Sequence, residues 1–134
     1  MSNLVFFVDD SARDREEVAL NLREYADMDT VTVELPGEAI AMLTVDFIAR
    51  LHAVILDYQL DALDHAINSR PIYAKLLELA PEFAKLRVAL RSSNSEEFLR
   101  RRFAEVGVPF PPKYLGKGKL MGMIDWLTGL PAEE

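Results

Sequence analysis

Half of the 134 residues are hydrophobic, 28% are charged and the formal net charge is −7, which excludes a disordered chain and argues against a general nucleic-acid binder. There is no cysteine, which excludes disulfides, thiolate metal sites and a cysteine nucleophile. No apolar run is long enough to cross a bilayer and no signal-peptide pattern is present, so we expect a folded cytoplasmic protein that makes no membrane contact.

Short apolar runs alternate with stretches of helical periodicity along the whole chain. The runs predict β-strands at residues 4–8, 30–35, 53–56, 88–90 and 108–112. The periodic stretches predict helices at residues 12–26, 39–47, 71–80, 95–106 and 120–129, and residues 58–70 are predicted to be a loop or broken helix. Alternation of this kind predicts an α/β fold with a parallel sheet covered by helices on both faces. We find no linker or repeat, so residues 1–134 are expected to form one domain without an output domain.

Polar side chains follow four of the five predicted strands. Asp9 and Asp10 follow the first strand, Asp57 the third, Ser92 the fourth and Lys113 the fifth. Ligands of an open parallel sheet bind beyond the carboxyl ends of its strands, so these side chains are expected to converge there.

The residue types in this group suit phosphoryl transfer. Three neighbouring carboxylates repel each other, and a bound Mg²⁺ or Mn²⁺ relieves that repulsion. An ionised Asp57 can then attack a phosphoryl group and become an aspartyl phosphate. Lys113 would neutralise the phosphoryl oxygens, and the Ser92 hydroxyl would donate a hydrogen bond to them.

These residues carry a resemblance to the receiver domains of two-component response regulators, over nearly the whole chain. The acidic pair after the first strand, Asp57 in AVILDYQL, Ser92 in VALRSS and Lys113 after the fifth strand all match the pattern of that family. Phe110, three residues before Lys113, matches the aromatic residue that reorients in receivers when the Ser or Thr moves toward the phosphate.

The resemblance implies a doubly wound, flavodoxin-like sheet of five strands in the order 2-1-3-4-5. It implies a divalent cation held by Asp10, Asp57 and the backbone carbonyl of Gln59, with Asp9 assisting through water. It also implies a phosphoacceptor domain that is modified on Asp57, without ordinary enzymatic turnover. The partners implied are a histidine kinase or histidine phosphotransfer protein as donor and an unidentified downstream protein. The expected state is a monomer or weak homodimer.

Several positions depart from the receiver pattern. Leu60 and Asp61 replace the usual Met-Pro pair, Arg91 replaces a buried apolar residue, and Tyr114 rather than proline follows Lys113. These departures leave open a receiver-like adaptor that binds partners without phosphorylation. A phosphohydrolase with an aspartyl intermediate is a third reading, but Gln59 stands where that class usually has a second acid.

The remaining lysines, histidines and arginines of note are weaker candidates for the site or have structural explanations. Lys117 and Lys119 are rivals of Lys113 for the lysine role, although the surrounding GKGK segment is interpreted as a surface turn. His52 and His65 are interpreted as a structural and a loop residue, not as catalytic groups. Residues 100–102 are three successive arginines on a predicted helix, either a solvated face or a partner-binding surface.

Overall fold

The computed structural model describes residues 3–61 and 63–131, so the first two residues, residue 62 and the last three residues of the predicted domain lie outside the described part. The strands are β1 (Leu4–Val8), β2 (Asp29–Val33), β3 (Leu51–Asp57), β4 (Val88–Ser92) and β5 (Lys113–Gly116). The helices are α1 (Ala12–Ala26), α2 (Pro36–Met42), α3 (Val45–Ala49), α4 (Arg70–Leu79), α5 (Pro81–Ala84), α6 (Glu96–Glu105) and α7 (Leu120–Gly129).

The five strands form one parallel sheet in the order β2-β1-β3-β4-β5, which confirms the predicted α/β fold and strand order. The sheet is central because β1 is apolar throughout, β3 is apolar over residues 53–56, and both strands are almost wholly buried. Continuous apolar runs of this kind are typical of parallel strands that are covered on both faces.

Alternate residues of the strands point into two separate apolar layers. Phe6, Leu56 and Leu90 lie in the larger layer, together with side chains of α2 to α6. Phe7 and Ile55 point to the opposite face, where α1 and α7 cover them. Period-two alternation in the strands therefore divides one hydrophobic sequence run between two cores.

Local polar groups explain where several helices begin. The Ser11 hydroxyl accepts a hydrogen bond from the Asp14 N–H at 3.2 Å and caps α1. The single helix predicted at residues 39–47 is two helices, because Thr44 is extended and its hydroxyl caps α3 through the Phe47 N–H. Within the described residues, no helix is long and apolar enough to span a membrane.

The predicted fifth strand at residues 108–112 is wrong. Pro109, Pro111 and Pro112 lack the N–H that a sheet ladder needs, and the strand begins after them at Lys113. The structure pairs Lys113 with Ala89 and Gly116 with Ser92. The strand is displaced toward the carboxyl end of the chain, so that a different lysine follows it.

The segment between β3 and α4 folds back on itself in a hairpin-like excursion, which we call the 58–69 excursion. Gln59 forms an antiparallel bridge with Asn68, and the Leu60 N–H donates to the Ile67 carbonyl at 3.0 Å. Leu60 is buried, so the excursion packs against the larger core. The prediction of a loop or broken helix therefore missed an ordered pairing.

Candidate phosphoacceptor site

Three carboxylates meet at the carboxyl edge of the sheet. Asp9 and Asp10 follow β1, Asp57 ends β3, and one carboxylate oxygen from each lies within 4.8 Å of the other two. Asp9 and Asp57 are buried, whereas Asp10 is partly exposed. A group of hard oxygen donors with one open side fits Mg²⁺ or Mn²⁺, which bind through one or two carboxylates and retain water.

The protein environment disfavours negative charge on the two buried acids. The pKa of Asp57 is raised to about 7, mainly by burial and secondly by the charge of Asp9. Lys117 and Arg91 oppose that rise. Burial likewise raises the pKa of Asp9. The cluster consequently favours a neutralising partner, either a proton or a cation.

Lys117 contacts the Asp57 carboxylate. Its Nζ lies 3.3 Å from Asp57 Oδ1 and 3.7 Å from Asp14 Oδ2. Its backbone N–H donates to the Ser92 carbonyl at 3.1 Å, which continues the β4–β5 ladder by one residue. The end of β5 therefore holds this ammonium group beside Asp57.

Lys113 does not lie at the carboxyl edge, and that prediction is wrong. It begins β5 opposite Ala89, whereas Ser92 lies at the other end of β4. The error follows from the misplaced strand, since the same strand-end argument applied to β5 selects Lys117. The three prolines before Lys113 were the sequence signal that identifies the strand correctly.

Because Lys117 rather than Lys113 contacts Asp57, the aromatic residue three positions before the lysine is also a different one. The Phe110 ring packs edge-on against Phe103 with centroids 5.3 Å apart, and the Arg100 guanidinium lies 4.4 Å from its centroid. Tyr114 is the residue three positions before Lys117, and its hydroxyl donates to the Asn94 carbonyl. The spacing argument that indicated Phe110 therefore now indicates Tyr114.

Ser92 is the last residue of β4 and is buried. Its Oγ accepts a hydrogen bond from the Asn94 N–H at 3.0 Å, which orients the hydroxyl and shapes the turn that follows. A cavity of about 310 Å³ opens beside it, lined by Asp10, Asp57, Gln59, His65, Ser92, Ser93, Asn94 and Lys117. Of the predicted group, the structure thus places Asp10, Asp57, Gln59 and Ser92 around one cavity.

The 58–69 excursion supplies one wall of this cavity. The Gln59 side chain donates to the Asp61 carbonyl at 2.8 Å, so Gln59 is anchored within the excursion. His65, which sequence reasoning treated as a loop residue, also lines the cavity and a second one of about 280 Å³ next to it. His65 belongs to no sequence motif that would have predicted this place. It lies at this edge of the sheet because residues 59 and 68 pair. His52 has the expected structural place, with Nε2 2.6 Å from the Leu127 carbonyl oxygen.

The three arginines of α6 do not line the cavity beside Asp57, although Arg102 lines the second cavity. Arg100 pairs with Glu96 at 2.7 Å, and Arg102 pairs with Glu105 at 3.2 Å. All three side chains are exposed. Their role in partner binding stays a prediction.

Comparison with solved structures finds the receiver fold in several proteins. Vibrio cholerae chemotaxis protein CheY4 is 17% identical with a TM-score of 0.71, and the match covers 98% of this chain and 100% of that one. The phosphorylated cyanobacterial phytochrome response regulator RcpA is 20% identical with a TM-score of 0.66, covering 96% and 91%. The receiver domain of sensor histidine kinase PA1611 from Pseudomonas aeruginosa PAO1, with a magnesium ion in its active-site cleft, is 14% identical with a TM-score of 0.67, covering 96% and 100%. No family model and no curated protein sequence matches the chain. The chain therefore has the receiver fold.

Proposed function

We propose that this chain is a phosphoacceptor receiver domain of a two-component phosphorelay, modified on Asp57. The observation that carries the proposal is the contact between Lys117 and Asp57 inside a cluster of three carboxylates. A buried acid at a strand end, a lysine on one oxygen and a hydroxyl from the next strand are the groups that aspartyl phosphate formation uses. Phosphorylated RcpA and magnesium-bound PA1611, which have the same fold, support this choice.

The residues fit Mg²⁺ or Mn²⁺ as a cofactor. Asp10, Asp57 and the backbone carbonyl of Gln59 would hold the ion, with Asp9 assisting through water. A bound divalent cation supplies charge neutralisation for the carboxylates and the phosphoryl oxygens.

The chain's own side chains account for the rest of the transfer. An Asp57 oxygen attacks the phosphorus, a new P–O bond forms, and the P–N bond of a phosphohistidine donor breaks with its electron pair leaving on the imidazole. Lys117 then pairs with the phosphoryl oxygens, and Ser92 donates a hydrogen bond to them. The product is a modified protein, so the domain is a substrate of its own reaction and not a turnover enzyme.

The phosphorylated state would be read through protein contacts. Ser92 and Tyr114 are linked through the Asn94 segment, so a shift of the Ser92 hydroxyl toward a phosphate would disturb the Tyr114 hydrogen bond. We propose a histidine kinase or phosphotransfer protein as donor and a protein that binds near α6 as the downstream partner. The expected setting is the cytoplasm, with residues 1–134 acting as one receiver domain in a monomer or weak homodimer.

The test is mass spectrometry of the intact protein after incubation with acetyl phosphate and Mg²⁺. The wild type should gain a phosphoryl adduct, and Asp57→Asn should gain none. Lys117→Met should slow adduct formation at least roughly tenfold, because the cation beside Asp57 is lost. Lys113→Met is the matched control, since it removes the same charge from the opposite edge of the sheet and should leave the rate unchanged.

Other outcomes select the competing functions. If the wild type gains no adduct and does not bind beryllofluoride, the adaptor function replaces the phosphoacceptor. Continuous release of phosphate over many turnovers would instead indicate an aspartyl phosphohydrolase.

A further inference from the structure

Arg91 places a fixed positive charge beside the carboxylate cluster. It lies in β4 directly before Ser92, and only 12% of its side chain is exposed. Its Nη1 lies 3.2 Å from Asp9 Oδ2 and 3.3 Å from Asp14 Oδ2. The guanidinium carbon is 5.8 Å from the Phe7 ring centroid. Two carboxylates and one aromatic ring therefore hold the guanidinium group in place.

With the Arg91 contact, both oxygens of the Asp9 carboxylate accept hydrogen bonds from groups of the protein. Asp9 Oδ1 accepts a hydrogen bond from the Ser11 N–H at 2.9 Å, and Oδ2 accepts one from Arg91. Asp9 is fully buried, so an unpaired negative charge there would be costly. Arg91 provides the compensating charge that a divalent cation would otherwise provide.

We infer that Arg91 is an internal counter-cation that competes electrostatically with the divalent cation and so weakens metal binding at the Asp9–Asp10–Asp57 cluster. The inference rests on the proposed function, because it concerns the metal site of that function. It concerns the strength and charge dependence of metal binding, and not whether Asp57 accepts a phosphoryl group.

The physical reason is the repulsion between the guanidinium and a doubly charged ion that lies near the same Asp9 carboxylate. An ion held by Asp10 and Asp57 and assisted by Asp9 through water would lie close to Arg91, because the oxygens of the three carboxylates are within 4.8 Å of one another and Arg91 Nη1 is 3.2 Å from Asp9 Oδ2. At such distances, even high effective dielectric leaves a repulsion large enough to change an affinity roughly tenfold. Because Asp14 and Phe7 hold the arginine, it cannot swing away without losing those contacts.

Substitutions that separate charge from hydrogen bonding test the inference. Arg91→Gln keeps an amide donor and removes the charge, whereas Arg91→Lys keeps the charge. Binding of Mn²⁺ is measured by the electron paramagnetic resonance signal of the free ion at about pH 8, without any phosphodonor. Arg91→Gln should bind Mn²⁺ roughly tenfold more tightly than the wild type, and Arg91→Lys should bind within about twofold of it.

Arg100→Gln is the matched control, because it removes the same charge from an exposed position on α6 that is paired with Glu96. Its Mn²⁺ affinity should equal that of the wild type. Circular dichroism verifies that each variant is folded, and Arg91→Met provides a second neutral variant if Arg91→Gln does not fold. A folded neutral variant that binds Mn²⁺ as weakly as the wild type, or more weakly, overturns the inference.

The proposed function fails through a different measurement. If the wild type gains no adduct on Asp57 while Arg91→Gln still binds Mn²⁺ more tightly, the phosphoacceptor function is lost and the role of Arg91 stands. If the adduct forms and the neutral variants do not change the affinity, the function stands and the role of Arg91 is lost.

Discussion

Asp57 is a carboxyl group on which opposing effects act at once. Burial and the Asp9 charge favour its protonated form, while Lys117 at 3.3 Å and the more distant Arg91 favour its ionised form. Burial prevails and raises the pKa to about 7. Ionising Asp57 therefore has a cost to the stability of the folded protein, and a bound cation would reduce that cost.

We predict a pH-dependent stability that Asp57 controls. Its pKa of about 7 in the folded protein exceeds the ordinary value of 3.8, so the folded state binds the proton more tightly between those values. The free energy of unfolding should therefore fall as the pH rises from about 4 to about 7 and then level off. In EDTA at about pH 8, Asp57→Asn should be more stable than the wild type by on the order of 2–4 kcal/mol.

The measurement is urea denaturation of both proteins across that pH range. When the urea series is extended to about pH 3, the two stabilities should converge, because Asp57 is then mostly neutral in both the folded and the unfolded state. Equal stabilities at about pH 8 would show that the buried acid is not destabilising.

Among the elements, the 58–69 excursion depends most on one polar side chain. The buried Asn68 Oδ1 accepts hydrogen bonds from the backbone N–H and the Nε of Arg70, both at 3.0 Å. Its Nδ2 lies 3.3 Å from the carbonyl oxygens of His65 and Ala66. One amide thus joins the tip of the excursion to the start of α4.

Asn68→Ala should lower the free energy of unfolding by about 2 kcal/mol, because four part-buried hydrogen bonds are lost together. It should also speed amide hydrogen exchange of Leu60, whose N–H bonds to Ile67 within the excursion. Urea denaturation and exchange followed by NMR measure these effects. Asn3→Ala, which removes one exposed hydrogen bond to Asp27, should change stability by less than about 0.5 kcal/mol. Equal effects of the two substitutions would contradict the role of Asn68.

At the scale of the whole molecule, two apolar layers hold the sheet so that its carboxyl edge stays open. The larger layer contains Phe103 of α6, whose ring contacts those of Tyr58, Tyr73 and Phe110. Tyr58 directly follows Asp57, and Phe110 precedes β5. Packing around one ring therefore links the helix near the proposed partner surface to the residue after Asp57 and to the segment before β5.

Phe103→Ala should lower the free energy of unfolding by about 3–5 kcal/mol, because the side chain is 1% exposed and its loss leaves a cavity. Urea denaturation measures the change. Phe98→Ala, on the same helix and only partly buried, is the control and should cost less. A loss of less than about 1 kcal/mol at Phe103 would contradict its central place in the core.

The sequence alone was sufficient to predict the elements whose local pattern and tertiary environment agree. The apolar runs at residues 4–8 and 53–56 predict buried parallel strands, and Asp9, Asp10 and Asp57 follow directly at the edge where parallel strands end. The alternation of strands and helices predicted the α/β class, and the resemblance to receivers supplied the strand order.

Tertiary structure decided which cations and which aromatic residue serve that edge. Lys117 rather than Lys113 contacts Asp57 because prolines without N–H groups displaced β5, and Tyr114 rather than Phe110 is the aromatic residue three positions before that lysine. Arg91 joined Asp9 across 82 positions of sequence, and His65 reached the cavity through pairing inside the 58–69 excursion. Local periodicity does not encode such distant contacts, because the register between strands and the path of a turn decide them.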